Sequence, residues 1–254
     1  MLPQKKFYRQ RAHSNPIADH CFDYPPHPGD IDWSSFFPSK GLKRKLDPGD
    51  QVNHDIASHY NGPDFLDIGC GYGGLLIELS PRFPDKKVLG IEIRVKVCDY
   101  VQDRIKALRE QAITASDSSD YTNIACIRGN AMKHLPNFFP KKSISKMFFL
   151  FPDPQFKKKK HKWRIISQQL LAEYAFVLKD AGRVYVATDV KDLYDWMTGH
   201  LEEHPLFQRL PVTEESNDPV VPLLFESTEE GKKVTRMGGN KYIAVFTRLP
   251  NPLE

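Results

Sequence analysis

The stretch Asp67-Ile68-Gly69-Cys70-Gly71-Tyr72-Gly73-Gly74 decides how this chain is read. It follows an apolar run at 64–68 and opens a helical pattern at 73–80, so its glycines stand where a strand turns sharply into a helix. Such a turn brings backbone and a helix N-terminus close to a ligand. The spacing satisfies two nucleotide-cofactor patterns at once: D-x-G-x-G-x-G, and G-x-G-x-x-G through Gly69, Gly71 and Gly74.

Other residues bear on that choice. Glu92 closes the next apolar run, where an acid accepts hydrogen bonds from both ribose hydroxyls of an adenosine cofactor, whichever pattern applies. Asp67 leans toward S-adenosylmethionine, because a carboxylate there suits a cationic amino-acid end and repels a pyrophosphate. Asn130-Ala131, after the third run, is placed either to reach an adenine ring or to cap the residues that follow.

Outward from the loop, short apolar runs alternate with helical stretches, the signature of βαβ units and a mostly parallel sheet. Strands are expected at 64–68, 87–93, 123–128, 146–151, 183–188 and 241–248, with a weak one near 207–211. Helices are expected at 73–80, 94–112, 163–179 and 190–203, the third stopped by Gly182. Residues 114–120 read as a surface loop. Residues 1–63, rich in proline and without period, read as an N-terminal arm and linker, most mobile over 39–61; Ile31–Phe37 is a short apolar anchor within it. Residues 64–254 form the expected domain.

Composition bounds the function. The chain has 254 residues, 40% hydrophobic, with a formal charge of +4, enough for one sizeable α/β domain. The longest apolar stretch, Met147–Phe151, is too short to span a bilayer, and the N-terminus has no apolar signal region. The cysteines Cys21, Cys70, Cys98 and Cys126 form no C-x-x-C pair, which argues against a zinc knuckle or a disulfide framework and for a reducing cytosolic or nuclear setting. No metal site is expected.

Phe151-Pro152-Asp153-Pro154 ends the fourth run, and two prolines fix Asp153 where open α/β sheets build their sites. Directly after it come Lys157, Lys158, Lys159, Lys160, His161, Lys162, Trp163 and Arg164. This density suits phosphates, with Arg164 placed to grip one bidentately; the run also has the composition of a nuclear import signal. Phe156 is a candidate platform for a base. Arg9-x-Arg11-x-x-Ser14 fits a basophilic-kinase pattern, making Ser14 a candidate inhibitory phosphosite.

Taken in order, the glycine loop, Gly90-Ile91-Glu92-Ile93-Arg94, Phe151-Pro152-Asp153-Pro154 with Lys157 and His161-Lys162-Trp163-Arg164, and Ser227-Thr228-Glu229-Glu230-Gly231-Lys232-Lys233 resemble the tRNA (guanine-N7)-methyltransferases. Tyr8–Pro16 resembles their eukaryotic catalytic subunit. The resemblance implies a class I methyltransferase fold, Rossmann-like, with a mostly parallel seven-stranded sheet and helices on both faces. It implies methyl transfer from S-adenosylmethionine to guanine 46 of the tRNA variable loop, with a WD-repeat partner; the import-like basic run and the cysteine usage set the expected location as the nucleus, alongside the cytoplasm. By motif, Gly69, Gly71, Glu92, Arg94, Asn130, Ala131, Leu150, Thr228 and Glu230 would serve the cofactor, Asp153 the chemistry, and the basic run the tRNA. The nearest rival is the same chemistry on mRNA or another RNA. An NAD-dependent oxidoreductase would leave the basic run unexplained, and a non-catalytic relic would not be expected to keep Asp67, Glu92 and Asp153 all acidic.

Overall fold

The computed structural model describes residues 2–11, 14–18, 22–38, 60–115 and 119–252. The segment 39–59 and residues 116–118, in which the linker and part of the surface loop are expected, lie outside the described residues.

Seven strands form one sheet: β1 Phe65–Ile68, β2 Val88–Glu92, β3 Ile124–Arg128, β4 Ile144–Leu150, β5 Leu178–Thr188, β6 Phe207–Arg209 and β7 Tyr242–Arg248, in the order β3-β2-β1-β4-β5-β7-β6. The first five pair in parallel, and β7 runs antiparallel between β5 and β6. Chain order moves outward from β1 to β2 and β3, then resumes at β4 on the other side of β1. The crevice above β1 and β4 is therefore the switch point where such sheets bind ligands.

The core follows the period-2 pattern of the strands. Leu66, Ile68, Leu89, Ile91, Met147 and Phe149 point to one face, under α4 (Gln168–Val177) and α5 (Lys191–Glu203). Phe65, Val88, Phe148, Leu150 and Tyr185 point to the other, under α1 (Gly74–Arg82) and α2 (Val95–Ala115). The crossover between β3 and β4 holds only one helical turn, α3 (Leu135–Phe138). Beside it the apolar anchor completes the first face: Trp33 and Phe37 are 5% and 3% exposed, and Trp33 stacks on Phe139 with centroids 5.9 Å apart.

Two expectations need correction. The helix expected over 163–179 starts at Gln168, after Ser167 accepts a hydrogen bond from the Leu170 N–H, and it ends at Val177 because Leu178 pairs with Ile144 to open β5. Gly182 therefore stops no helix. The ladder shifts register there and Ala181 takes a φ of +60°. Between β6 and β7, where no helix was expected, lie α6 (Val212–Ser216), α7 (Val221–Glu226) and α8 (Glu229–Arg236). In α8 Thr228 caps, Glu229 and Glu230 occupy the first turn, and Lys233 and Arg236 the last, as the helix dipole favours.

Candidate active site

The glycine loop leaves β1 with Gly69, Gly71 and Gly73 at φ of +73°, +53° and +72°, a region costly for any residue with a Cβ. A side chain at Gly74 is barred for another reason: its Cβ would stand 2.0 Å from the Ser227 carbonyl, where the approach to α8 packs on the loop. At Gly69 nothing lies within 4 Å of that position, so the turn faces open space. This space is the floor of an open cleft of about 200 Å³.

Gly69, Glu92, Arg94, Asn130, Ala131, Leu150 and Asp153 all line this cleft. Glu92 is 2% exposed, and its carboxylate is fully engaged. Oε1 accepts from the Arg94 backbone N–H at 2.9 Å and Nε at 3.0 Å; Oε2 accepts from Arg94 Nη2 and the Gly71 N–H, both at 3.0 Å. Four donors meet the four lone-pair positions of a carboxylate, so the acceptor positions of Glu92 are taken up by Arg94 and Gly71 in this structure. Gly71 itself does not line the cleft; it tethers Glu92. Asp67 lies behind the loop, 2% exposed, and burial followed by the charge of Glu92 pushes its carboxyl up to about 7.

Asn130 takes the capping role of the two expected of it, and its amide also ties down the arm. Its Oδ1 accepts from the Met132 N–H at 3.0 Å, while its Nδ2 donates to the Pro16 carbonyl at 2.6 Å, tying the arm across the cleft that Asn130 lines. The arm is held elsewhere too: Gln10 accepts from the Lys96 N–H in the first turn of α2, and the Tyr8 hydroxyl donates to Asp103. Ser14 and Pro16 join the cleft wall, a placement with no signal in the kinase pattern.

At the end of β4, Phe151 and Gln155 take left-handed φ of +50° and +47° and bracket Pro152-Asp153-Pro154. A second depression lies outside this corner, lined by Ser14, Asn15, Asp153, Gln155, Phe156, Lys157, Lys160 and Trp163. Phe156 is 74% exposed there. Lys157, Lys158, Lys159 and Lys162 are exposed, and Lys160 lies over the Trp163 ring at 4.7 Å.

Arg164 departs from its expected grip on phosphate. It is 2% exposed; Nε donates to the Pro154 carbonyl at 2.9 Å, Nη2 to Asp192 at 2.8 Å, and the guanidinium lies 4.7 Å from the Trp196 ring centroid. It holds the corner and cannot reach a solvent phosphate without leaving the core. Thr228 and Glu230 are not among the residues lining the cleft. Thr228 spends its hydroxyl on the Gly231 N–H, and Glu230 is exposed beside Lys233 at 3.4 Å. Their helix nevertheless abuts the site, since a Cβ at Gly231 would stand 3.5 Å from the Phe151 ring.

Three cysteines far apart in sequence meet under the loop: the Cys126 Sγ lies 3.7 Å from those of both Cys70 and Cys98, all as buried free thiols. Hydrogen bonding to Cys126 pulls the Cys70 thiol down, but burial and neighbouring charge outweigh it and push it up to about 11, keeping it protonated and inert. Among the described residues no cluster of histidine, cysteine or acid is arranged to hold a metal, and no helix is long and apolar enough to cross a membrane.

A seven-stranded sheet in the order β3-β2-β1-β4-β5-β7-β6 with β7 antiparallel, and a glycine turn at its switch point facing a cleft, is that of a class I methyltransferase, whose cofactor is S-adenosylmethionine. The residues fit that group: an open glycine cradle, a buried acid behind it and, beside it, a second acid at the end of β2. A family profile described as "Putative methyltransferase" matches residues 61–244. Proteins described as tRNA (guanine-N(7)-)-methyltransferase are 58% identical in Bombyx mori, over 98% of this chain and 96% of the relative. In Homo sapiens the identity is 57%, over 99% and 90%, and in Caenorhabditis elegans 54%, over 99% and 90%. The chain belongs to the tRNA (guanine-N7)-methyltransferase family and is an enzyme of that class.

Proposed function

We propose that the protein methylates N7 of guanine 46 in the tRNA variable loop, as the catalytic subunit of a complex with a WD-repeat protein. The observation that carries this reading is the position of Asp153. Together with Ser14, Gln155 and Trp163 it lies in the wall shared by the cofactor cleft and the outer depression beside the basic run. A base held outside and a donor held inside meet at that wall.

Guanine N7 has an in-plane lone pair and no proton, so its attack needs no general base, and positioning dominates. The cofactor supplies a methyl group on a sulfonium sulfur. Gly69, Glu92, Arg94, Asn130, Ala131 and Leu150 would hold it, with Asp67 opposite its amino-acid end. As positive charge develops on the imidazole ring of guanine, the carboxylate of Asp153 stabilises it without taking a proton. Phe156 and Trp163 offer ring faces to a base drawn out of the tRNA stack, and Lys157, Lys158, Lys159 and Lys162 meet its phosphates. Glu230 and Thr228, on the helix beside Phe151, would close the site.

A phosphate on Ser14 would add about two negative charges to a wall that already holds Asp153 and Glu92, which gives that site an inhibitory sense. A nuclear location with Lys157–Lys160 as import signal completes the proposal; a reporter fused to residues 150–170 should accumulate in nuclei and lose that property when the lysines become alanine.

The test is transfer of tritiated methyl to bulk tRNA with and without a co-expressed WD-repeat protein, followed by borohydride and aniline cleavage at 7-methylguanosine. Cleavage at position 46, lost in Asp153→Ala while cofactor affinity stays within about threefold, a shift of roughly 0.6 kcal/mol, is the expected result. Incorporation only into mRNA or another RNA would move the substrate assignment, and near-wild-type turnover of Asp153→Ala would remove Asp153 from the chemistry.

A further inference from the structure

We propose that Gln155 is a positioning residue of the methyl-transfer site, holding the Asp153 carboxylate toward the substrate base; this rests on the role of Asp153 given above. Gln155 grips both oxygens of Asp153. Its side-chain Nε2 donates to Oδ2 at 2.9 Å and its backbone N–H to Oδ1 at 3.3 Å. The backbone contact is long, so the amide fixes the orientation.

Three further observations set Gln155 apart from an ordinary surface glutamine. It is 8% exposed, lines both the cofactor cleft and the outer depression, and adopts a φ of +47°. A left-handed backbone is costly for a residue with a Cβ, and burying an amide adds to this unless it finds a partner. Both costs are met at one place, the contact that orients Asp153. Here the Arg164 bond to the Pro154 carbonyl supports it from behind.

The chemistry favours an amide in this position. A carboxylate that must stabilise a developing cation has to be immobile and still negative. A lysine or arginine gripping both oxygens would fix it but cancel its charge, whereas an amide supplies N–H donors with no net charge of its own. Misplacing a reacting environment by about 1 Å costs on the order of a hundredfold in rate. Loss of the grip therefore acts on the chemical step and not on capture of either ligand.

The experiment compares Gln155→Leu and Gln155→Glu with wild type in the full-length protein co-expressed with a WD-repeat protein, with Asp153→Asn as reference. Measured are kcat, KM for S-adenosylmethionine and for tRNA, the cofactor Kd, the thermal midpoint and the pH profile. Gln155→Leu is expected to lose roughly 10- to 100-fold in kcat, with both KM values, Kd and the midpoint close to wild type. Gln155→Glu is nearly isosteric and keeps the test open if the leucine variant does not fold. It sets carboxylate against carboxylate, so it should be poorly active at pH 8 and regain activity toward pH 6, where one shared proton restores a donor. Wild-type kcat in Gln155→Leu, or a Gln155→Glu profile parallel to wild type, would overturn the proposal. So would a kcat loss matched by loss of cofactor binding and thermal stability, which marks a structural role. Full activity in Asp153→Asn would instead overturn the role of Asp153 itself.

Discussion

Asp67 is a buried acid whose ionisation is set by its surroundings: desolvation, then the like charge of Glu92, raises its carboxyl from 3.8 to about 7. The sign of its effect follows from linkage. Between pH 4 and pH 7 the native state holds the proton that the unfolded chain has lost, so stability from this group is present at low pH and falls as pH rises through 7. A cationic ligand group opposite Asp67 reverses that penalty by favouring the charged form. S-adenosylmethionine should accordingly bind about five- to sixfold tighter at pH 7.5 than at pH 6, after allowing for partial loss of the proton from the ligand's own amino group. Isothermal titration across this range measures it, and Asp67→Asn should bind weakly with a flat profile. A wild-type profile that is already flat would separate Asp67 from the cofactor's cationic end.

The segment from Lys157 to Gln168 is an element whose sequence conceals two jobs. Six cations in eight residues read as one phosphate-binding strip, yet Lys158–Trp163 is a short 3-10 turn that exposes its lysines and turns Arg164 inward. Charge density alone does not tell an outward arginine from one whose fork satisfies a carbonyl, a carboxylate and an indole face. Arg164→Ala should cost about 1–3 kcal/mol of folding stability, through the Pro154 carbonyl left without its donor and the lost packing on Trp196; Asp192 is exposed and is solvated instead. Lysine should rescue little, since it lacks the planar fork. Denaturant unfolding tests the stability, and salt titration of tRNA affinity in the folded variant should keep the wild-type slope. What was legible here follows the same logic. The glycine loop, Glu92 and Asp153 announce themselves because their chemistry is bound to local spacing. Gln155, the end of the helix at Val177 and α8 do not, because a left-handed φ, a ladder partner and one buried stripe at Gly231 and Val234 are set by the tertiary fold.

At the scale of the whole molecule, the alternation of apolar runs and helical stretches is enough to give a parallel sheet with two covered faces. The apolar cluster Ile31–Phe37 marks the arm's anchor in the sequence, but where it docks is not legible there, because Trp33 and Phe37 are recruited by the space beside the short α3. Charge is also a property of this scale. The formal surplus of +4 is small, and what distinguishes the molecule is a run of four lysines, of which Lys157 and Lys160 line the depression next to Asp153. Replacing Lys157–Lys160 with alanine removes the entire surplus from one side of the site. Each lysine that meets a phosphate contributes roughly 0.7–0.9 to the slope of log affinity against log salt. The quadruple variant should therefore lose up to about 3 from that slope, less whatever Lys160 withholds through its contact with Trp163. Affinity for tRNA should drop most at low salt and converge with wild type at high salt. Cofactor Kd should stay unchanged, because none of these lysines lines the cofactor cleft. Filter binding over 50–300 mM salt measures all of this, and an unchanged slope would reassign the run to import or to a solvated face.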